Sequence, residues 1–99
     1  MPDLKTITEH RRLAILRHLA SASTYTSNTS ILHDVVNGVG VSTSRDQLIA
    51  ALSWLHEQEL LEMTDLGDGV VVATATGRGV EVATGAAEHP GVRRPSPRG

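Results

Sequence analysis

The sequence predicts a mainly α-helical domain that carries one small β-hairpin, and three observations support this. Apolar residues recur at helical spacing through most of the first 60 positions. The period then turns extended at Leu60, Leu61 and Met63, and a Gly67, Asp68, Gly69 turn leads into Val70, Val71 and Val72. Helices joined by a Gly-containing turn and followed at once by a hairpin form the order of a winged helix-turn-helix. The stretch Ser42 to Leu61 is the centre of this pattern. Leu48, Leu52 and Leu55 share one stripe with Ala51 beside it, whereas Thr43, Asp46, Gln47, Ala50 and Glu57 fall on the other side. One face is suited to burial and the other to presentation.

The elements follow in order. A first helix is expected from about Ile7 to Ala20, with Thr6 and Glu9 at capping-box spacing and Leu13, Leu16, Leu19 and Ala20 as its apolar stripe. Ile15 and Leu19 widen that stripe, either for a dimer contact or to close a small three-helix core; we read them as closing the core. Residues 21–28, rich in Ser and Thr, read as a loop ending in a cap at Ser27 or Asn28. A short second helix, about Thr29 to Asn37, buries Ile31, Leu32, Val35 and Val36, with Gly38 as its left-handed stop. Ser42, Thr43 and Ser44 are alternative caps for the third helix, and Asp46 or Gln47 closes a capping box with Thr43 or Ser44. Glu62 to Leu66 and Val70 to Ala75 form the hairpin, and Thr76 caps a fourth helix from Gly77 to about Thr84.

At 99 residues the chain is expected to hold one domain, residues 1–88, and a flexible, basic, Pro-rich tail, residues 89–99. Phe is absent and Tyr25 and Trp54 are the only aromatics. Aliphatic burial, at roughly 25 cal/mol per Å², must therefore supply nearly all of the core, which makes a homodimer a reasonable supplement. The absence of Cys excludes disulfides, thiolate metal sites and thiol redox chemistry, and fits a reducing cytoplasm. No apolar run approaches the ~20 residues that cross a bilayer, and the first residues lack a signal-peptide pattern. We therefore expect no membrane partner.

The formal charge of -2 hides an asymmetry. Residues 89–99 carry +3, whereas residues 1–88 hold six basic and eleven acidic side chains, a net charge of -5. That balance disfavours strong non-specific DNA binding, although residues 9–18 do contain Arg11, Arg12, Arg17, His10 and His18.

Two local patterns sharpen the fold reading. LeuIleAlaAlaLeuSerTrpLeuHisGluGlnGluLeuLeu, residues 48–61, resembles the end of a recognition helix leading into the first wing strand of small bacterial regulators of the ArsR and MarR type. ThrAlaThrGlyArgGly, residues 74–79, resembles the start of the helix after their wing. From residue 6 to residue 97 the chain is similar to a family of small proteins encoded by Mu-like phages and prophages. The resemblance implies a DNA-binding transcriptional regulator, dimeric, with half-sites about one DNA turn apart. Three departures stand against it. Glu59 occupies a helix end where Gly is common, the hairpin carries Asp65 and Asp68 without Lys or Arg, and no Cys or His cluster permits metal sensing.

A recognition-helix reading assigns roles to particular residues. Ser42, Thr43 and Ser44 would accept a phosphate through backbone amides, Arg45 would contact phosphate or guanine, and Gln47 would make two bonds to adenine. Arg11, Arg12, Arg93, Arg94 and Arg98 would add phosphate contacts. The alternatives are plain structural duties: caps for the hydroxyls, a solvated face for the arginines, packing for Trp54. The chain offers no catalytic constellation. His33 beside Asp34 and His56 beside Glu57 diverge on a helix, and neither a phosphate loop nor a metal motif is present. We therefore expect no enzyme activity and no cofactor. If DNA is not the partner, the same fold serves as an adaptor for a phage or host protein, with Thr43, Gln47, Ala50 and Trp54 at the contact.

Overall fold

The first helix, α1 (Leu4–Ser21), is the element on which the others rest. In the computed structural model, which describes residues 3–96, Ile15, Leu16 and Leu19 are wholly excluded from solvent and Leu13 nearly so. The wide stripe of α1 is thus filled by the chain's own core. The helix begins earlier than the Thr6 and Glu9 spacing predicts, because Asp3 is the cap: its carboxylate accepts the Thr6 amide at 2.8 Å.

The expected loop after α1 is more ordered than its composition implies. Ser23–Tyr25 form a 3-10 turn in which Thr24 and Tyr25 adopt positive φ. Thr26–Asn28 then form a strand, β1. Short polar side chains disfavour helix here but do not prevent strand pairing, and an unpaired edge is at hand to accept it. Asn28 ends the strand and caps α2 (Thr29–Gly38), its side chain accepting the Ile31 amide at 3.0 Å. The left-handed residue after α2 is Gly40, with φ of 93°, whereas Gly38 is still helical. Of the apolar residues assigned to α2, Leu32 and Val36 are fully buried, Val35 is half-buried and Ile31 is exposed.

Helix α3 (Arg45–Glu57) starts at Ser44 with the second of the two capping boxes the sequence offers. The Ser44 hydroxyl accepts the Gln47 amide at 3.1 Å, and the Gln47 side chain accepts the Ser44 amide at 2.8 Å. Leu48, Ala51, Leu52 and Leu55 are its buried stripe. The hairpin follows as β2 (Leu61–Gly67) and β3 (Val70–Ala75), turning through Gly67, Asp68 and Gly69, all at positive φ. β3 lies in the centre of a three-stranded antiparallel sheet, ordered β1-β3-β2, with Ser27 opposite Ala73 and Met63 opposite Ala73 from the other side. Thr76 caps α4 (Gly77–Thr84), which Gly85 ends in the left-handed conformation. The described chain thus contains four α-helices and one three-stranded sheet. Among the described residues no helix is long and apolar enough to cross a membrane.

The joint between α3, β2 and α4 is set by close backbone approach. The Leu60 carbonyl accepts the Thr76 amide at 3.1 Å, and the Glu59 carbonyl accepts the Thr76 hydroxyl at 2.8 Å. Gly79 lies against Leu60 so tightly that a β-carbon there would overlap the Leu60 carbonyl oxygen. A Gly inside the first turn of α4 is therefore a packing requirement, which outweighs its poor helix propensity.

The segment expected to be a flexible tail instead folds back on the helices as far as it is described. Val92 is 6% exposed, and the Arg93 amide donates to the Glu9 carbonyl at 3.2 Å. Val92 buries its side chain and the Arg93 amide finds the Glu9 carbonyl on α1, contacts that composition alone does not reveal. Arg98 lies outside the described residues.

Glu59 follows α3 at φ 61°, the left-handed region where a side chain is strained. Glu59→Gly is therefore expected to stabilise the chain by about 1 kcal/mol, raising the melting temperature by roughly 4–8 °C in a thermal scan.

Candidate macromolecule-docking face

The N-terminal turn of α3 and the turn of the hairpin form one continuous surface. Arg45 holds them together: its guanidinium donates to the Gly69 carbonyl at 2.7 Å. The same carbonyl accepts the hydroxyl of the fully buried Thr29 at 3.3 Å, and that hydroxyl accepts the Val71 amide at 3.3 Å. Gly69 is thus fixed from α2 and α3 at once, which aims the hairpin turn alongside the start of α3.

Most residues expected to read DNA have bonding partners within the chain. Thr43 is 5% exposed and its hydroxyl donates to the Val41 carbonyl at 2.7 Å. Arg11, 6% exposed, reaches from α1 to donate to that hydroxyl at 2.9 Å and to the Ser42 carbonyl at 3.1 Å. Burial lowers the Arg11 pKa, but at neutral pH so strong a base stays charged, and its bonds offset the cost of desolvation. The Asn37 side chain accepts the Thr43 amide at 2.9 Å and donates to the Thr43 carbonyl at 3.1 Å. Ser44 and Gln47 face each other in the capping box. Ser42, Ser44, Arg45 and Gln47 are all exposed, with Asp46 and Ala50 beside them.

The remaining expected cations lie elsewhere. Arg12 stacks on the Trp54 ring, 3.7 Å from its centroid, and donates to the Gly91 carbonyl at 2.9 Å. Its Nε is buried without a hydrogen-bond partner. Arg93 and Arg94 are exposed where the C-terminal segment runs beside α1, lining an open groove with Arg17 and His10. Arg94 makes a loose exposed ion pair with Glu88 at 3.8 Å. Trp54 is packed, as expected, but against Arg12 and the C-terminal segment, with His89 edge-on at 5.2 Å.

The electrostatics of the face follow directly. Residues 42–70 contain six acidic side chains and one cation, Arg45. Asp46, Glu57, Glu59, Glu62, Asp65 and Asp68 are all exposed. Arg11 and Arg12 do not balance them, because both are drawn into the body of the chain. What sequence reasoning missed is the consumption of side chains by the fold: in the sequence Arg12 lies toward the apolar margin of the helix, and no spacing rule points Arg11 at Thr43.

Arg11→Ala removes two charge-assisted bonds from a buried site and is expected to cost about 2 kcal/mol, whereas Arg45→Ala, at an exposed position, costs no more than about 1 kcal/mol. Urea unfolding of both variants checks this, and equal losses would place Arg11 outside the folding framework.

The chain is 44% identical over 92 residues to protein gp26 of Escherichia phage Mu, an alignment that spans 93% of this chain and 94% of that one. It is 42% identical over 78 residues to a protein of Haemophilus influenzae, spanning 79% of this chain and 76% of the relative. No family model matches the chain, and no solved structure matches it.

Proposed function

The chain belongs to the family of gp26 of phage Mu, and we propose that it is a winged helix-turn-helix adaptor of phage development or morphogenesis, docking a protein rather than catalysing a reaction. The order of helices and hairpin, with Arg45 tying the hairpin turn to α3, supports the fold assignment. The observation that carries the partner assignment is charge: the start of α3 and the hairpin turn present the exposed Asp46, Asp65 and Asp68 against Arg45 alone. Duplex DNA gains most of its protein affinity from phosphate neutralisation, and this face would repel it. A protein surface rich in Lys and Arg complements it, with electrostatic steering of the encounter.

A DNA-binding regulator is the second reading. The exposed Ser42, Ser44 and Arg45 at the start of α3 favour it, since backbone amides and a helix N-terminus there suit a phosphate. In that reading Arg93 and Arg94 add non-specific phosphate contacts.

One experiment separates the two. The purified protein is titrated with the duplex upstream of its own gene and with a scrambled duplex, at low and near-physiological salt; in parallel it captures partners from phage-producing cells. The adaptor reading expects no sequence-specific retention of DNA at the higher salt, and a captured protein that Asp46→Lys together with Asp68→Lys releases. Specific DNA binding at near-physiological salt, weakened by Arg45→Ala, would overturn it in favour of the regulator.

A further inference from the structure

We propose that residues 89–93 form a strap that acid releases: protonation of the His89 ring at Nδ1 removes the acceptor of the Gly91 amide and uncovers the stack of Arg12 on Trp54. The inference stands on the geometry of the strap and is independent of which macromolecule the α3 face docks.

The strap is built around one imidazole. The Gly91 amide donates to His89 Nδ1 at 3.1 Å, and His89 Nε2 lies 3.1 Å from the Gln58 side-chain oxygen, which can only accept. These two bonds together fix the neutral ring with its proton on Nε2. The Val92 amide closes the turn on the His89 carbonyl at 3.1 Å. The turn brings Gly91 flush against the Trp54 ring, where a β-carbon would overlap the indole edge, and places the Gly91 carbonyl under the Arg12 guanidinium. Val92 is then buried and the Arg93 amide reaches Glu9 on α1.

A second proton on the ring must go to Nδ1, where it points at the Gly91 N–H, donor against donor. Among the described residues no anion perturbs the ring, and the charges that do are both cations. From α1 it meets Arg12, from α4 Arg78, from α3 the uncharged Trp54 and from the residue after α3 the uncharged Gln58; flanking the strap, the Glu88 carboxylate pairs with Arg94. Burial first, then Arg78 and Arg12, hold the His89 pKa below its ordinary value of 6.5. The sign follows. A released strap takes up its proton at the ordinary value and a closed one only at lower pH, so closure is fully favoured above 6.5 and is lost as pH falls below it. Release exposes Trp54 at the C-terminal half of α3, an aromatic surface with a guanidinium beside it.

Trp54 is the only tryptophan, so its emission reports the strap directly. Between pH 7.5 and 5 the emission is expected to shift to longer wavelength, and acrylamide quenching to rise, with a midpoint below 6.5, while far-ultraviolet circular dichroism stays constant. His89→Gln, which cannot take up the proton, is expected to show no step. A flat Trp54 signal in the parent chain, the same step in His89→Gln, or a step that coincides with loss of helical signal would each overturn the proposal. Nitrogen-15 NMR of the ring tests it without a variant: His89 protonated on Nδ1 at neutral pH would sink it.

Discussion

Arg11 is the constraint on which the arrangement of the three N-terminal helices depends. It leaves α1 one turn before the fully buried Ile15 and ties the turn between α2 and α3 through Thr43 and the Ser42 carbonyl. Asn37 grips the same Thr43 from α2. A core of Leu, Val, Ile and Ala is adaptable in shape, because such side chains pack in several ways at similar cost. Directional bonds to one buried guanidinium remove that freedom, so α3 starts at a defined place and angle. Ser44 can then cap it, and Arg45 can reach the hairpin turn.

That constraint also determines what the α3 face presents. A guanidinium used inside the chain no longer offsets acids outside it, and with Arg11 and Arg12 both turned inward the start of α3 and the hairpin turn keep Arg45 alone among Asp46, Asp65 and Asp68. The chain's modest formal charge is therefore the sum of an acidic face and a cationic side along α1, where Arg17, Arg93 and Arg94 remain exposed. For a polyanion the local field matters more than the total.

Elements with local signals were legible in the sequence. The buried stripe of α3, the Ser44 and Gln47 capping box, the Gly67 to Gly69 turn and the Thr76 cap each depend on residues within four positions of one another, and each is found where the spacing predicts. What the sequence hid depends on distant partners. β1 exists because β3 offers it an edge, Asp3 outcompetes Thr6 as a cap by one turn of geometry, and residues 89–93 are ordered by Trp54 and Glu9. The candidate site was half visible for the same reason. The exposed polar start of α3 was identifiable, but which of its polar side chains stay exposed is decided by residues far away in the chain.

The two ends of α3 consequently have opposite characters. At its N-terminus hydroxyls, Arg45 and the hairpin turn make a polar, acidic surface that is open to solvent. At its C-terminal half Trp54, the largest side chain in a protein without Phe, is shielded by Arg12 on one side and by His89 and Gly91 on another. A lone Trp on a small aliphatic domain would otherwise leave a large apolar surface in water, at roughly 25 cal/mol per Å². The basic segment after α4 covers it with two small or neutral groups, and keeps its own arginines outward. The composition that reads as a disordered tail is thus the composition of a cover: Gly where the backbone must touch an indole, Val for a gap beside α1, and His where one ring must both accept and donate.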